Sequence, residues 1–202
     1  MESVFTYYFQ NNCWGNSESL SGGGSSQEQT RQIKESILFI VKKYKITVFF
    51  DVPCGDFNWF KTIVQHIPTY IGADIVLPLI NKNKENFNTH TFIHFDLTKD
   101  IFPEKIDIIF CRDLFVHFSF DKIIEALRNI KKSKAVYLLT TTFINRQFTD
   151  IDVGGWRPVS LFNAPFNFPP PLELLSENCT ESFPNLMDKS LGLWYIKDIP
   201  DF

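Results

Sequence analysis

A short apolar run, an aspartate where it ends, and a stretch of helical periodicity recur in that order along the chain. Thr47-Val48-Phe49-Phe50 runs into Asp51, and the spacing predicts a helix over 57–66. Tyr70 to Asp74 reads as a strand, Val76 to Asn86 as a helix, and Thr91 to Phe95 as a strand ending at Asp96. Ile106 to Cys111 is a buried-type strand, Asp121 to Ser133 an amphipathic helix with Ile123, Ile124, Leu127 and Ile130 inward, and Ala135 to Thr142 a strand. Such alternation implies an α/β fold: a doubly wound, mostly parallel sheet with helices on both faces. Upstream, Ser21 to Ser26 is a Gly/Ser-rich loop opening a helix whose apolar positions are Ile33, Ile37, Ile40 and Val41. Downstream, Gly154-Gly155, Pro158, Pro165 and Pro169-Pro170-Pro171 favour extended backbone. A final strand-like run, Leu191 to Ile196, returns the chain to the sheet. The reading is therefore one domain over 1–202, with an N-terminal segment and loop at 1–32 and a Pro-rich insertion at 149–185 on the acceptor side.

Two hundred and two residues suffice for one substantial core. A net charge of −3 without clustered Lys or Arg disfavours a nucleic-acid partner. Cys13, Cys54, Cys111 and Cys179 are scattered without CxxC spacing, which suits a reducing compartment and gives no zinc pattern. The first ten residues lack a basic n-region, and the apolar run from Ile37 is broken by Lys42, Lys43 and Lys45. No membrane segment or signal peptide is expected, and the location expected is cytoplasmic. The 22 phenylalanines leave a homodimer open.

Ligands of an open parallel sheet bind beyond the carboxyl ends of its strands, where this chain places Asp51, Asp74, Asp96, Asp113 and Thr140 to Thr142. Any one aspartate there is as well explained by a turn or a helix cap. Their recurrence, with Asp74 near the offset at which an acid meets ribose hydroxyls, favours a ribose site. The first loop lacks GxGxxG and a Walker lysine, and Asp51 and Asp56 would repel a pyrophosphate. An NAD site is correspondingly weak. An adenosyl ligand with a cationic end suits this loop better, and S-adenosylmethionine is one. Asp96 would meet the adenine amino group, with Leu97 and Phe95 either bracketing the ring or packing in the core.

The chain resembles the class I S-adenosylmethionine-dependent methyltransferases, and within them a group of small bacterial and viral members associated with glycan and capsule genes. The resemblance rests on Ser21-Gly22-Gly23-Gly24-Ser25-Ser26, Asp51-Val52-Pro53-Cys54-Gly55-Asp56-Phe57, Tyr70 to Val76, Asp96-Leu97-Thr98, Cys111 to His117, Gly155-Trp156-Arg157-Pro158 and Asp188 to Trp194. It implies a Rossmann-like fold and an S-adenosylmethionine pocket of Trp14, Ser25, Arg31, Asp51, Pro53, Cys54, Gly55, Asp74, Ile75, Asp96, Leu97 and Arg112. One departure stands out: Pro53 and Cys54 occupy places where the wider family carries glycines. The Gly22 to Ser25 loop and Arg31 would then help hold the carboxylate end of the cofactor.

Methyl transfer to a hydroxyl needs a base beside the acceptor. His117 is the candidate, four residues after Asp113, which would orient it or touch the cofactor. A divalent ion held by Asp113 and His117 is a second reading, as in ubiquinone-pathway O-methyltransferases, and a purely structural histidine is a third. In the insertion, Trp156, Arg157, Asn163 and Phe166 combine apolar area with polar groups suited to a small-molecule acceptor. The resemblance implies that this is a sugar or nucleotide sugar. The alternatives are N- or O-methylation of another small metabolite, or a catalytically silent cofactor-binding module.

Overall fold

The computed structural model describes residues 1–144, 146–182 and 185–202, so 183 and 184 of the Pro-rich stretch lie outside the described residues. Its strands are β1 (Val48–Asp51), β2 (Thr69–Asp74), β3 (Thr91–His94), β4 (Ile108–Cys111), β5 (Tyr137–Phe143), β6 (Glu173–Ser176) and β7 (Lys189–Tyr195). Its α-helices are α1 (Glu2–Gln10), α2 (Arg31–Lys43), α3 (Leu77–Asn86) and α4 (Phe120–Lys132). The strands form one sheet in the order β3-β2-β1-β4-β5-β7-β6. Strands β1 to β5 are mutually parallel, whereas β7 slots between β5 and β6 and runs antiparallel to both.

Neighbouring residues of a strand point to opposite faces, and the core divides accordingly. Phe50, Ile109 and Leu138 pack with Ile123, Leu127 and Ile130 of α4 on one face. Phe49, Ile108, Phe110 and Leu139 pack with Ile33, Ile37 and Ile40 of α2 on the other. All four residues of β4 are buried, as a central parallel strand requires. Ser119 caps α4 by accepting from the Lys122 backbone amide, with Asp121 in the first turn and Lys131 and Lys132 in the last.

The structure departs from the sequence reading in three places. The helix expected over 57–66 is instead two 3₁₀ turns, Phe60–Thr62 and Val64–His66. Phe57 has φ +59°, and Thr62-Ile63-Val64 places three β-branched residues in succession shortly before Pro68, which disfavours a continuous α-helix. The N-terminal segment contains the helix α1, whose Phe5 is buried in the core. Within the Pro-rich stretch, Glu173 to Ser176 adds an edge strand with alternating exposure. The irregular segment before it is pinned to the sheet: the Phe143 amide donates to Val159 O, the Leu161 amide to Thr142 Oγ1, and Trp194 Nε1 to Pro169 O.

Candidate functional site

The carboxyl ends of β1, β2 and β4, the end of β5 and the start of β7 surround a cavity of about 420 Å³. Small-molecule pockets typically span roughly 300–1,000 Å³. The turn after β1 forms its floor. Gly55 has φ +54°, and a Cβ there would come within 2.2 Å of Ser21 Oγ, so only glycine lets the N-terminal loop lie against this turn. The turn is held from both sides: the Gly55 amide donates to Asp74 Oδ2 (3.1 Å), and Asn83 Nδ2 donates to Gly55 O (2.8 Å). The Asp56 carboxylate accepts from Ser19 Oγ and from the Leu20 amide at 2.7 Å, tying residues 19–21 to the turn.

Two acids at the base of the cavity are unusually proton-loving. Burial pushes the Asp51 carboxyl up to about 8 against the hydrogen bond donated by Tyr70 Oη to its Oδ2 (2.7 Å). Burial likewise raises Asp74 to about 6, although the Val76 and Gly55 amides donate to it. Both are poised to ionise when a cation arrives.

Arg112, Glu177 and Lys189, all buried, form a charge-balanced quartet with the partly exposed Asp113. Arg112 Nε and Nη2 donate to Glu177 Oε2 at 3.2 and 2.9 Å, and Nη2 also reaches Gly24 O at 3.0 Å and Asp113 Oδ2 at 3.3 Å. Lys189 Nζ sits 2.7 Å from Asp113 Oδ2 and 3.3 Å from Glu177 Oε2. Burial alone would raise the Asp113 carboxyl, but Arg112 and Lys189 hold it well below the usual carboxylate range.

His117 lies in the 3₁₀ turn Phe115–His117 and lines the same cavity, flanked by the rings of Phe5 and Trp14. Its Nδ1 is 2.8 Å from Gly155 O. A carbonyl can only accept, so Nδ1 carries the proton and Nε2 is the basic atom of the neutral ring. Burial lowers the His117 pKa, which keeps it neutral at physiological pH.

Of the residues singled out in the sequence, Trp14, Ser25, Asp51, Pro53, Cys54, Gly55, Asp74, Ile75, Arg112, Asp113, His117 and Trp156 line this one cavity. The others lie elsewhere. Arg31 is exposed and pairs with Glu28 in the turn before α2. Asp96 caps its own turn by accepting from the Thr98 amide and hydroxyl and faces a separate shallow surface hollow shared with α1, while Leu97 is buried in the core. Phe166 is fully buried and stacks on Phe148, and Asn163 Nδ2 donates to Arg146 O. Arg157 is buried, with Nη1 donating to Phe115 O, and so it is not placed to hold an acceptor. Asp113 makes no hydrogen bond to His117: its side-chain partners are Thr141, Lys189 and Arg112, while His117 Nδ1 meets Gly155 O. Asp113 Oδ2 is engaged by Arg112 and Lys189, and among the described residues no group of three or more His, Cys, Asp and Glu is arranged to hold a metal.

Sequence reasoning missed Tyr70, Asn83, Glu177, Glu181 and Lys189. Lys189 carried a signal, being a cation at the head of an otherwise apolar strand; Glu177, just beyond an edge strand, carried none. Glu181 enters the cavity opposite Gly23 and Gly24, where a Cβ on either glycine would come to about 3 Å from its carboxylate.

The strand order, with the antiparallel β7 between β5 and β6, is the Rossmann-like fold seen in solved S-adenosylmethionine-dependent methyltransferases. Among solved structures, the chain is similar to the N-methyltransferase NodS from Bradyrhizobium japonicum WM9 in complex with S-adenosyl-L-homocysteine. The TM-score is 0.53 at 12% identity, over 67% of this chain and 72% of that one. It is also similar to magnesium protoporphyrin IX methyltransferase (ChlM) from Synechocystis PCC 6803 with bound S-adenosylhomocysteine, at TM-score 0.52 and 13% identity over 72% of this chain and 73% of that one. Neither a protein-family model nor a curated protein matches the chain by sequence.

Proposed function

We propose that the chain is an S-adenosylmethionine-dependent methyltransferase that methylates a hydroxyl of a sugar, free in a glycan or nucleotide-linked. The observation that carries this reading is one cavity lined both by raised-pKa acids and by a neutral imidazole, His117. The cavity fits the cofactor: the Gly55 turn permits close approach of backbone, and Asp51 and Asp74 favour a ligand carrying positive rather than phosphate charge. Asp51, Gly55, Asp74 and Ile75, with Trp14 and the Gly22 to Ser25 loop, would hold it. When bound, S-adenosylmethionine supplies an electrophilic methyl group. His117 Nε2 accepts the acceptor's proton, and the apolar rings of Phe5 and Trp14 limit water around it. The half-exposed Trp156 at the cavity offers an aromatic face to a sugar. Solved neighbours bound to S-adenosylhomocysteine support the cofactor assignment by likeness of fold.

In this reading 1–202 acts as one methyltransferase domain, with residues 149–185 on its acceptor side. A cytoplasmic setting agrees with four free cysteines, and no described helix is long and apolar enough to cross a membrane. Calorimetry with S-adenosylmethionine and with NAD tests the cofactor: binding of the first alone is expected. Mass spectrometry after incubation with nucleotide sugars tests the acceptor, and absence of a methyl gain on every sugar, with gain on another metabolite, would replace the sugar. His117→Gln is expected to lower turnover about 10²- to 10⁴-fold while cofactor affinity holds. A parent protein that binds the cofactor yet methylates nothing would point to a silent module.

A further inference from the structure

The turn that carries His117 is gripped along its whole length by residues 154–157. The Gly154 amide donates to His117 O at 2.9 Å, and His117 Nδ1 donates to Gly155 O at 2.8 Å. The Arg157 amide donates to Val116 O at 3.0 Å, and Arg157 Nη1 to Phe115 O at 3.0 Å. The guanidinium is buried between the faces of Phe120 (5.2 Å) and Phe148 (5.9 Å), with Asp150 Oδ1 4.0 Å from Nη2. Its Nε and Nη2 have no hydrogen-bond partner among the described residues. Burying a cation with two unsatisfied nitrogens is costly, so its geometry must be repaid by what it holds in place. Gly154 is part of the same device: at φ +98°, a Cβ there would lie 2.6 Å from Val4 Cγ1, so the strip can sit between α1 and the turn only with glycine.

We infer that Arg157 is a positioning residue, which through the 154–157 strip fixes His117 as the Nδ1-protonated tautomer and leaves Nε2 as its basic atom. The mechanism is steric and hydrogen-bonded. With Arg157 spanning to Phe115 O, the turn cannot rotate away from the strip, and Gly155 O stays in line with Nδ1. Freed from that carbonyl, the imidazole would share its proton between both nitrogens, and only part of the population would present a bare Nε2. The charged groups around the ring are Asp113 from the end of β4, Lys189 from the start of β7 and Arg157 itself; α1 contributes the Phe5 ring. Lys189 and Arg157 oppose an imidazolium while Asp113 favours it, so loss of Arg157 also removes one brake on protonation.

This inference rests on the reading of His117 as a base, but its test does not depend on turnover. Nitrogen chemical shifts of ¹⁵N-histidine protein, with His117→Gln to assign the ring, report the tautomer directly. The wild-type ring is expected as Nδ1–H, protonating only below the ordinary histidine range. In Arg157→Met the shifts should move toward a mixture of tautomers and the titration toward the ordinary range, with Arg157→Lys intermediate because it keeps charge but not the planar group that aims Nη1 at Phe115 O. A wild-type Nε2–H ring, or an Arg157→Lys spectrum and titration identical to wild type, overturns the proposal even if Arg157→Met fails to fold. In methyl transfer, Arg157→Lys should lower kcat at least tenfold with KM for the cofactor unchanged. The expected spectra without any turnover in the parent would instead remove the role of base and leave the positioning intact.

Discussion

At the residue scale, Asp51 is where the environment acts most strongly. Its carboxyl is 2% exposed, and burial raises it to about 8 against an unfolded value of about 3.9. The folded chain therefore keeps a proton that the unfolded chain releases, and folding stability falls as pH rises from about 4 towards 8. Asp74, raised to about 6, acts with the same sign but is spent above that pH, whereas His117, lowered by burial, contributes an opposite slope near its unfolded value of about 6.5, so Asp51 is read from the part of the slope that its removal abolishes. Asp51→Asn keeps an oxygen for the Tyr70 hydroxyl and removes the titration. Relative to wild type, the variant should gain stability across that window by at most about 1.4 kcal/mol per pH unit, measured by urea unfolding at several pH values. Equal slopes in the two proteins would mean that Asp51 ionises freely. A cationic ligand draws the same pKa down, so binding should release a proton near pH 7 and tighten as pH rises. Calorimetry in two buffers of different ionisation enthalpy counts that proton, and Asp51→Asn should reduce it.

At the scale of elements, the turn after β1 is decided by Gly55. An alanine there must hold φ near +54° and meets Ser21 Oγ, so Gly55→Ala should cost about 1–3 kcal/mol. Adding Ser21→Ala should return only the steric part, because the backbone strain stays; a Gly55→Ala protein as stable as wild type would refute both halves. The same turn shows why much of the fold could be read in advance. β1 to β5 and β7 announce themselves as β-branched and aromatic runs, and once β1 to β5 pair in parallel, topology carries Asp51, Gly55, Asp74, Arg112, Asp113 and His117 to one edge. Periodicity failed where it was ambiguous. Residues 57–66 repeat apolar positions like a helix but are rich in β-branching, and Glu173–Ser176 alternates over only four residues. Beyond Asp150 no period says which side chains face inward. Arg157, Asn163 and Phe166 looked like acceptor groups, but the structure buries Arg157 and Phe166 and ties the partly buried Asn163 to Arg146 O. Glu177 and Lys189 meet Arg112 and Asp113 across 65 and 76 residues, a pairing that spacing cannot express.

At the scale of the whole molecule, two apolar clusters on opposite faces of the sheet supply cohesion, but apolar burial is not directional. Direction comes from the Arg112–Asp113–Glu177–Lys189 quartet. It joins the end of β4, the head of β7, the segment after β6 and, through Gly24 O, the N-terminal loop. Two cations and two anions balance, so each residue is tolerable in the interior only while the others remain. Lys189→Met leaves Asp113 and Glu177 to share Arg112, with Glu177 Oε1 already lacking a partner among the described residues. Breaking a buried pair in this way should cost about 3–5 kcal/mol. Replacing Asp113 by Asn in the same protein restores neutrality around Arg112 and Glu177. The double variant should then be more stable than the sum of the single losses by about 0.5–3 kcal/mol. Urea unfolding of the four proteins, at a pH well above the carboxylate range so that Asp113 is fully ionised in both states, completes the cycle. Strictly additive losses would show that Lys189 and Asp113 act independently; coupling would show that the head of β7 and the end of β4 are held by one electrostatic unit, set against the cavity it borders.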